Sequence, residues 1–267
     1  MSGAVFAGEP SKTVALAETP TAVQKTIQAQ VNDGTLGDID KTSNVWEVAY
    51  DVELTAKDGQ ERDFTVAEDG ILLSGEVTLC ETPASVQKAI NPFLNKDVLE
   101  SIDKIFDNGE TNYDVELTAK DGRERDFTIA DDGTFLSRKM ALGETPDVVQ
   151  KAIKAQMNDG KLGDIDENFG EAETNYDVEM TAKDGREKAF TLAADGSLSS
   201  VRVTLAEIPP PARRTVKNQI GDGEILRIDK SYVKEKGVSP YKVQGSKNGG
   251  AFDFSVGPRG RFLGMDD

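Results

Sequence analysis

Apolar residues along this chain recur on two rhythms. Val23, Ile27 and Val31 stand four residues apart, as on one face of a helix. Tyr50, Val52 and Leu54 alternate with Asp51, Glu53 and Thr55, the two-residue period of a strand covered on one side. Both rhythms return every 63 residues. The helical columns are Val23, Val86, Val149 and Ala212; Ile27, Ile90, Ile153 and Val216; and Val31, Leu94, Met157 and Ile220. The strand peptide YDVELTAKDG stands at 50–59 and 113–122, and returns at 176–185 with Met180 in place of Leu.

Each period predicts the same elements. Thr19-Pro20, Thr82-Pro83 and Thr145-Pro146 supply an N-cap and a first helical position. Asn-Asp-Gly at 32–34 and 158–160 supplies the stop. Pro92 predicts that the second helix ends early or kinks. A strand is expected around Leu36 to Asp40, because Ile39, Ile102, Ile165 and Ile228 keep the step. Asp58-Gly59 predicts a type I′ hairpin turn between the next two strands. Asp69-Gly70 turns the chain again, and Ile71 to Leu79 leads into the following Thr-Pro.

The fold class expected is therefore α+β: four tandem units of one helix packed on a roughly four-stranded antiparallel sheet. Their boundaries are 12–75, 76–138, 139–200 and a diverged, basic 201–264. No linker separates the first three, so neighbours are expected to share an interface or a continuous sheet. Their near-identity carries a hazard of strand exchange between units.

Composition narrows the function classes. With 48 Asp and Glu against 31 Lys and Arg the formal net charge is −17. That disfavours nucleic acid, whose phosphates need a basic face. No apolar run approaches the ~18 residues of a membrane span, so no membrane insertion is expected. There is no histidine, which removes the commonest general base and transition-metal ligand. The single cysteine, Cys80, excludes an intrachain disulfide and a Cys-based zinc site. It shares a column with Ala17, Gly143 and Ala206, which predicts a small buried position. Val5-Phe6-Ala7 reads equally as the tail of a signal peptide or as an ordinary N-terminus.

The order of a Thr-Pro helix with VQKAI, then YDVEL, KDG, RDFTV and EDG, resembles the PepSY-like repeats of the beta-lactamase-inhibitor-like family. The PxxVQKxI helix matches Pro20–Ile27, Pro83–Ile90 and Pro146–Ile153. The YxVxL strand matches Tyr50–Leu54, Tyr113–Leu117 and Tyr176–Met180. The closing DG matches Asp69-Gly70, Asp132-Gly133 and Asp195-Gly196. The fourth unit departs, with PPPARRTV opening its helix and both DG turns lost. The resemblance implies a non-enzymatic protein, periplasmic or secreted, that binds or restrains another protein. It brings no catalytic residues and no cofactor.

Two surfaces are candidates. The first is the polar sheet face, Asp51, Glu53, Asp63, Asp114, Glu116, Asp126, Asp177 and Glu179, with Trp46 as an interface anchor. It would dock a protein partner or be a solvated face. The second is the pair of Asp-rich segments NDGTLGDID and NDGKLGDID, with Asp33, Asp38, Asp40, Asp159, Asp164 and Asp166. These would bind calcium or lanthanide-like cations only if six to eight oxygens converged; neither has EF-hand spacing. Charge is also uneven along the chain. Residues 201–267 hold 12 Lys and Arg against 8 Asp and Glu, a net of +4, and residues 1–200 hold 19 against 40, a net of −21.

Overall fold

The computed structural model describes residues 9–43, 48–107, 109–157, 159–170, 173–232, 239–247 and 250–266. Trp46, Val5–Ala7 and Asn158 lie outside these. The chain divides into two compact units, Met1–Leu136 and Ser137–Asp267.

The first unit runs β1 (Glu9–Thr13), α1 (Thr21–Val31), β2 (Thr35–Ser43), β3 (Val48–Thr55), β4 (Glu61–Ala67), β5 (Leu72–Glu76), α2 (Ala84–Leu94), β6 (Asp97–Asp107), β7 (Glu110–Ala119) and β8 (Glu124–Ala130). After β9 (Phe135–Lys139), the second unit has α3 (Asp147–Met157), β10 (Lys161–Phe169), β11 (Thr174–Thr181), β12 (Glu187–Ala193) and β13 (Leu198–Arg202). It continues with α4 (Pro210–Ile220), β14 (Glu224–Ser231), β15 (Tyr241–Lys247), β16 (Gly250–Val256) and β17 (Phe262–Asp266).

This architecture corrects the expected fold class. Strand dominates the described residues, and within each compact unit the meanders of successive periods run into one antiparallel sheet instead of one helix-on-sheet unit per period. The reason lies in the short strand that ends each 63-residue period. β5 pairs with β4 on one side and with β6, the first long strand of the next period, on the other. β13 does the same between β12 and β14. A strand with a ladder on both edges joins two meanders, so a period has no sheet of its own.

In each compact unit two eleven-residue helices among the described residues cover one face of the sheet. In the first compact unit Val23 and Ile27 of α1 pack on Ile39, Tyr50, Val52, Leu54, Phe64 and Val66, and Val86 and Ile90 of α2 pack on Ile102, Tyr113, Val115, Leu117, Phe127 and Ile129. In the second, Val149 and Ile153 of α3 and Ala212, Val216 and Ile220 of α4 head two further clusters. Burying such side chains is the main favourable term in folding, about 1.5–3 kcal/mol each.

Local chemistry explains the recurring letters. A 3-10 turn precedes each of the first three helices, and Thr19, Thr82 and Thr145 close it by donating to the carbonyls of Leu16, Leu79 and Leu142 at 2.8–2.9 Å. The side-chain amides of Gln24, Gln87 and Gln150 donate to the carbonyls of those threonines at 2.8 Å. The helix begins one residue later than the sequence predicts, because Pro20 and Pro83 are themselves the N-caps. Pro92 does not shorten α2, which keeps eleven residues. It sits in the last turn, where only one N–H is forfeited.

The Asp58-Gly59 turn is not type I′. Only Gly59 has positive φ there, at 82°. Its N–H donates to Ala56 and Gln60 N–H donates to the Asp58 carboxylate, the pattern of a type I turn closed by a bulge. Gly70 is required twice over: its φ is 90°, and a Cβ there would lie 2.8 Å from Ala22. That approach seats the second turn on α1, where Thr26 Oγ1 donates to the Gly70 carbonyl at 2.6 Å. Cys80 is exposed, contrary to the buried slot its column predicts. Its Sγ lies 3.1 Å from Thr78 Oγ1 in the turn before α2.

Candidate functional site

The face of the sheet opposite the helices is set by the strand register. Asp51 stands opposite Thr65 and Glu53 opposite Asp63. Asp114 stands opposite Thr128 and Glu116 opposite Asp126. In the second compact unit Asp177 stands opposite Thr191 and Glu179 opposite Ala189. Period-two alternation fixes this, since Tyr50, Val52, Tyr113, Val115, Tyr176 and Val178 between them point to the core.

Hydroxyls order part of the row. Thr65 Oγ1 donates to Asp51 at 2.9 Å, Thr191 Oγ1 to Asp177 at 2.6 Å, and Asn168 Nδ2 to Asp177 at 3.0 Å.

A second carboxylate column runs beside the first. Asp40, Asp103 and Asp166 lie directly opposite Asp51, Asp114 and Asp177 on the neighbouring strands. In the last period Asp229 is opposite Lys242 instead. What differs between periods is the residue on the far side of that aspartate: Thr13 for Asp40, Glu76 for Asp103, Lys139 for Asp166 and Arg202 for Asp229. Thr13 Oγ1 donates to Asp40 at 2.6 Å.

Only Asp103 has carboxylates on both sides. Burial, followed by the charges of Glu76, Glu116, Asp114 and Asp63, pushes its pKa up to about 6. Asp166 is also raised, by burial and by Asp164, with Lys139 opposing. The face of the first compact unit is thus most negative around Asp103, where five carboxyl groups stand on the neighbouring strands β4, β5, β6 and β7 without converging on one point.

The segments read as cation loops are arranged differently. Asp33 sits in the turn after α1, 3.1 Å from Lys57, and Asp159 lies 3.8 Å from Lys183. Asp38, Asp40, Asp164 and Asp166 belong to strands β2 and β10. Asp164 lies 3.5 Å from Lys139. Among the described residues no group of three or more candidate ligands is placed to hold a metal ion. Trp46, read as an anchor, lies outside the described residues.

Two features were not read from the sequence. Glu76 and Asp103 complete the acidic face; the sequence signal is the aspartate column 40, 103, 166 and 229, one residue after the isoleucines that keep the 63-residue step. The other is a buried ionic contact on the helix side of β10. Glu167 is 6% exposed and accepts from Arg138 Nε and, at 2.7 Å, from the Tyr176 hydroxyl. Burial and this bond push the Tyr176 pKa up to about 12. The column reads Lys41, Lys104 and Lys230 elsewhere, so the charge is reversed in this period.

A shallow depression of about 350 Å³ in the second unit is lined by Met157, Met180, Lys183, Asp184 and Lys188. It contains none of the candidate residues.

No family model and no curated protein matches the sequence. Solved structures match about half of the chain. A BLIP-like protein from Bacteroides fragilis aligns at 17% identity over 44% of this chain and 82% of its own, with a TM-score of 0.31. A DUF2874 family protein from Bacteroides ovatus aligns at 13% identity over 49% of this chain and 93% of its own, TM-score 0.34. A protein from Bacteroides thetaiotaomicron, provisionally described as calcium-regulated and periplasmic, aligns at 18% identity over 49% and 97%, TM-score 0.30. At these scores the likeness carries no inference about what this chain does.

Proposed function

We propose that the chain is a non-catalytic binding protein of the periplasm or cell exterior, and that it engages the cationic surface of a protein partner through its acidic sheet face. The compartment follows the resemblance set out from the sequence. The observation that supports the surface is the row of Asp63, Glu76, Asp114 and Glu116 on the strands around Asp103, whose pKa burial and these neighbours raise to about 6. A merely solvated face would not need its central carboxylate to be half-buried between two others. Lys or Arg from a partner would neutralise the cluster, and such complementarity acts mainly on association rate and selectivity. No helix among the described residues is long and apolar enough to cross a membrane.

The test is a pull-down from the native secreted or periplasmic fraction. The bait is the chain itself, beside a variant with Asp63→Asn, Glu76→Gln, Asp103→Asn, Asp114→Asn and Glu116→Gln. The expected result is a stoichiometric protein retained by the first, released by salt and absent with the second. Recovery of the same proteins by both baits would overturn the proposal. Restraint of an enzyme is the finer form of this reading, and the captured partner's activity with and without the chain decides it.

A further inference from the structure

β17 holds in the last period the place of β5 and β13 in theirs. Those strands are paired on both edges, β5 by β4 and β6, β13 by β12 and β14. Among the described residues β17 pairs with β16 alone. Along it Phe262 is 39%, Leu263 48% and Met265 55% exposed, three of the seven exposed large apolar side chains among the described residues. An open edge strand with apolar side chains is a template for another strand.

The start of the chain shows what that strand is. β1 holds on β2 the place that β5 holds on β6 and β13 on β14. Thr13 opposite Asp40, Glu76 opposite Asp103 and Arg202 opposite Asp229 are one register. The N–H groups of Val14, Val77 and Val203 donate to the carbonyls of Ile39, Ile102 and Ile228 at 2.8–2.9 Å.

Yet β1 is a poor copy of a closing strand. Its sequence, Glu-Pro-Ser-Lys-Thr, has no aliphatic or aromatic side chain, whereas β5 has Leu72 and Leu73 and β17 has Phe262, Leu263 and Met265. Pro10 has no N–H to give a ladder. The register breaks between Glu9 and Lys12, and Lys12 stands directly opposite Lys41, an unfavourable like-charge pair.

We propose that β17 of one molecule replaces β1 on β2 of a second copy, so that the chain assembles head to tail. The register follows from β5 on β6, where Ser74, Gly75 and Glu76 oppose Ile105, Lys104 and Asp103. Gly264, Met265 and Asp266 then oppose Thr42, Lys41 and Asp40 of the second copy. The exchange replaces Lys12 by Met265 opposite Lys41, covers the apolar edge of β17 and supplies its missing ladder; against this it gives up the Thr13–Asp40 hydrogen bond and sets Asp266 opposite Asp40, the acidic pairing that Glu76 already makes with Asp103. It adds one continuous step to a pairing the chain already makes between successive periods. The interface is heterologous, so growth continues past a dimer unless a ring closes.

The test mixes two single-cysteine chains, each with Cys80→Ser because that thiol is exposed. One carries Met265→Cys and the other Lys41→Cys. Facing residues of an antiparallel pair have Cα atoms about 4.5–5.5 Å apart, within disulfide reach. Under mild oxidation the expected product is a mixed dimer containing one of each chain, with neither variant cross-linking to itself. A chain carrying both cysteines is expected to give a ladder of higher oligomers. A Met265→Cys homodimer in place of the mixed one would mean that β17 pairs with β17 about a twofold, and would overturn the proposal. So would the absence of any cross-link. Sedimentation of the Cys80→Ser chain over a concentration series is the independent reading: a weight-average mass that rises beyond a dimer supports the exchange, and a constant monomer mass overturns it.

Discussion

Replacing Asp103 by Asn is expected to stabilise the chain at neutral pH, although it removes a charge from a folded protein. The carboxyl is half-buried between Glu76 and Asp114, and its pKa is pushed up to about 6. An unfolded aspartate titrates near 3.9, so the rise of about two pH units corresponds to ~3 kcal/mol as an upper bound. Half of the group still meets water, which screens the repulsion and brings the expected gain to ~1 kcal/mol. The sign follows from proton binding. Between about pH 4 and pH 6 the folded state holds a proton that the unfolded state has released, so stability falls as pH rises through that window and the full penalty is present above it. At pH 7.5 Asp103→Asn should raise the urea midpoint, and the melting temperature by about 2–4 °C. At pH 4 most of that difference should be gone. Added salt should shrink the difference at pH 7.5 by screening the neighbours. An unchanged or lowered melting temperature at pH 7.5 would refute the reasoning, as would an equal gain at both pH values.

Arg138→Ala leaves Glu167 buried with only the Tyr176 hydroxyl, and should destabilise by ~2–3 kcal/mol in urea unfolding. The double change Arg138→Gly and Glu167→Lys reproduces Gly75 and Lys104 of the preceding period and should recover much of that loss. Cys80 should react with a thiol reagent in the native chain at the rate of a free exposed thiol, whereas a buried one would need denaturant. Calcium or terbium should raise the melting temperature no more than magnesium at equal ionic strength, because the carboxylates lie along strands or in lysine pairs without converging. A selective rise of several degrees would contradict that. Ile27→Ala, at a fully buried position in α1, should cost about 2–5 kcal/mol in the same unfolding assay.

What the sequence determined by itself was local. The four-residue step of Val23 and Ile27, the alternation of Tyr50, Val52 and Leu54, and the glycines at 59 and 70 are short-range consequences of backbone geometry and of burying one side of an element. They place helices, strands and turns within a residue or two, and the errors are equally local. Thr19 closes a 3-10 turn before the helix, so the cap moves to Pro20; Asp58 keeps negative φ, so the turn type changes. The pairing partners of the strands were decided only by the tertiary structure. Nothing in Leu72–Glu76 says that both of its edges are occupied, and that one fact decides for the continuous sheet between neighbouring periods over a mere shared interface. The site follows the same rule. Asp51, Asp114 and Asp177 are legible as a polar face because alternation puts them there. That Asp103 is the most perturbed of its column depends on Glu76 arriving opposite it, where the other periods bring Thr13, Lys139 and Arg202. Charge repulsion acts through space between strands far apart in sequence, and register, which the tertiary structure fixes, decides which charges meet.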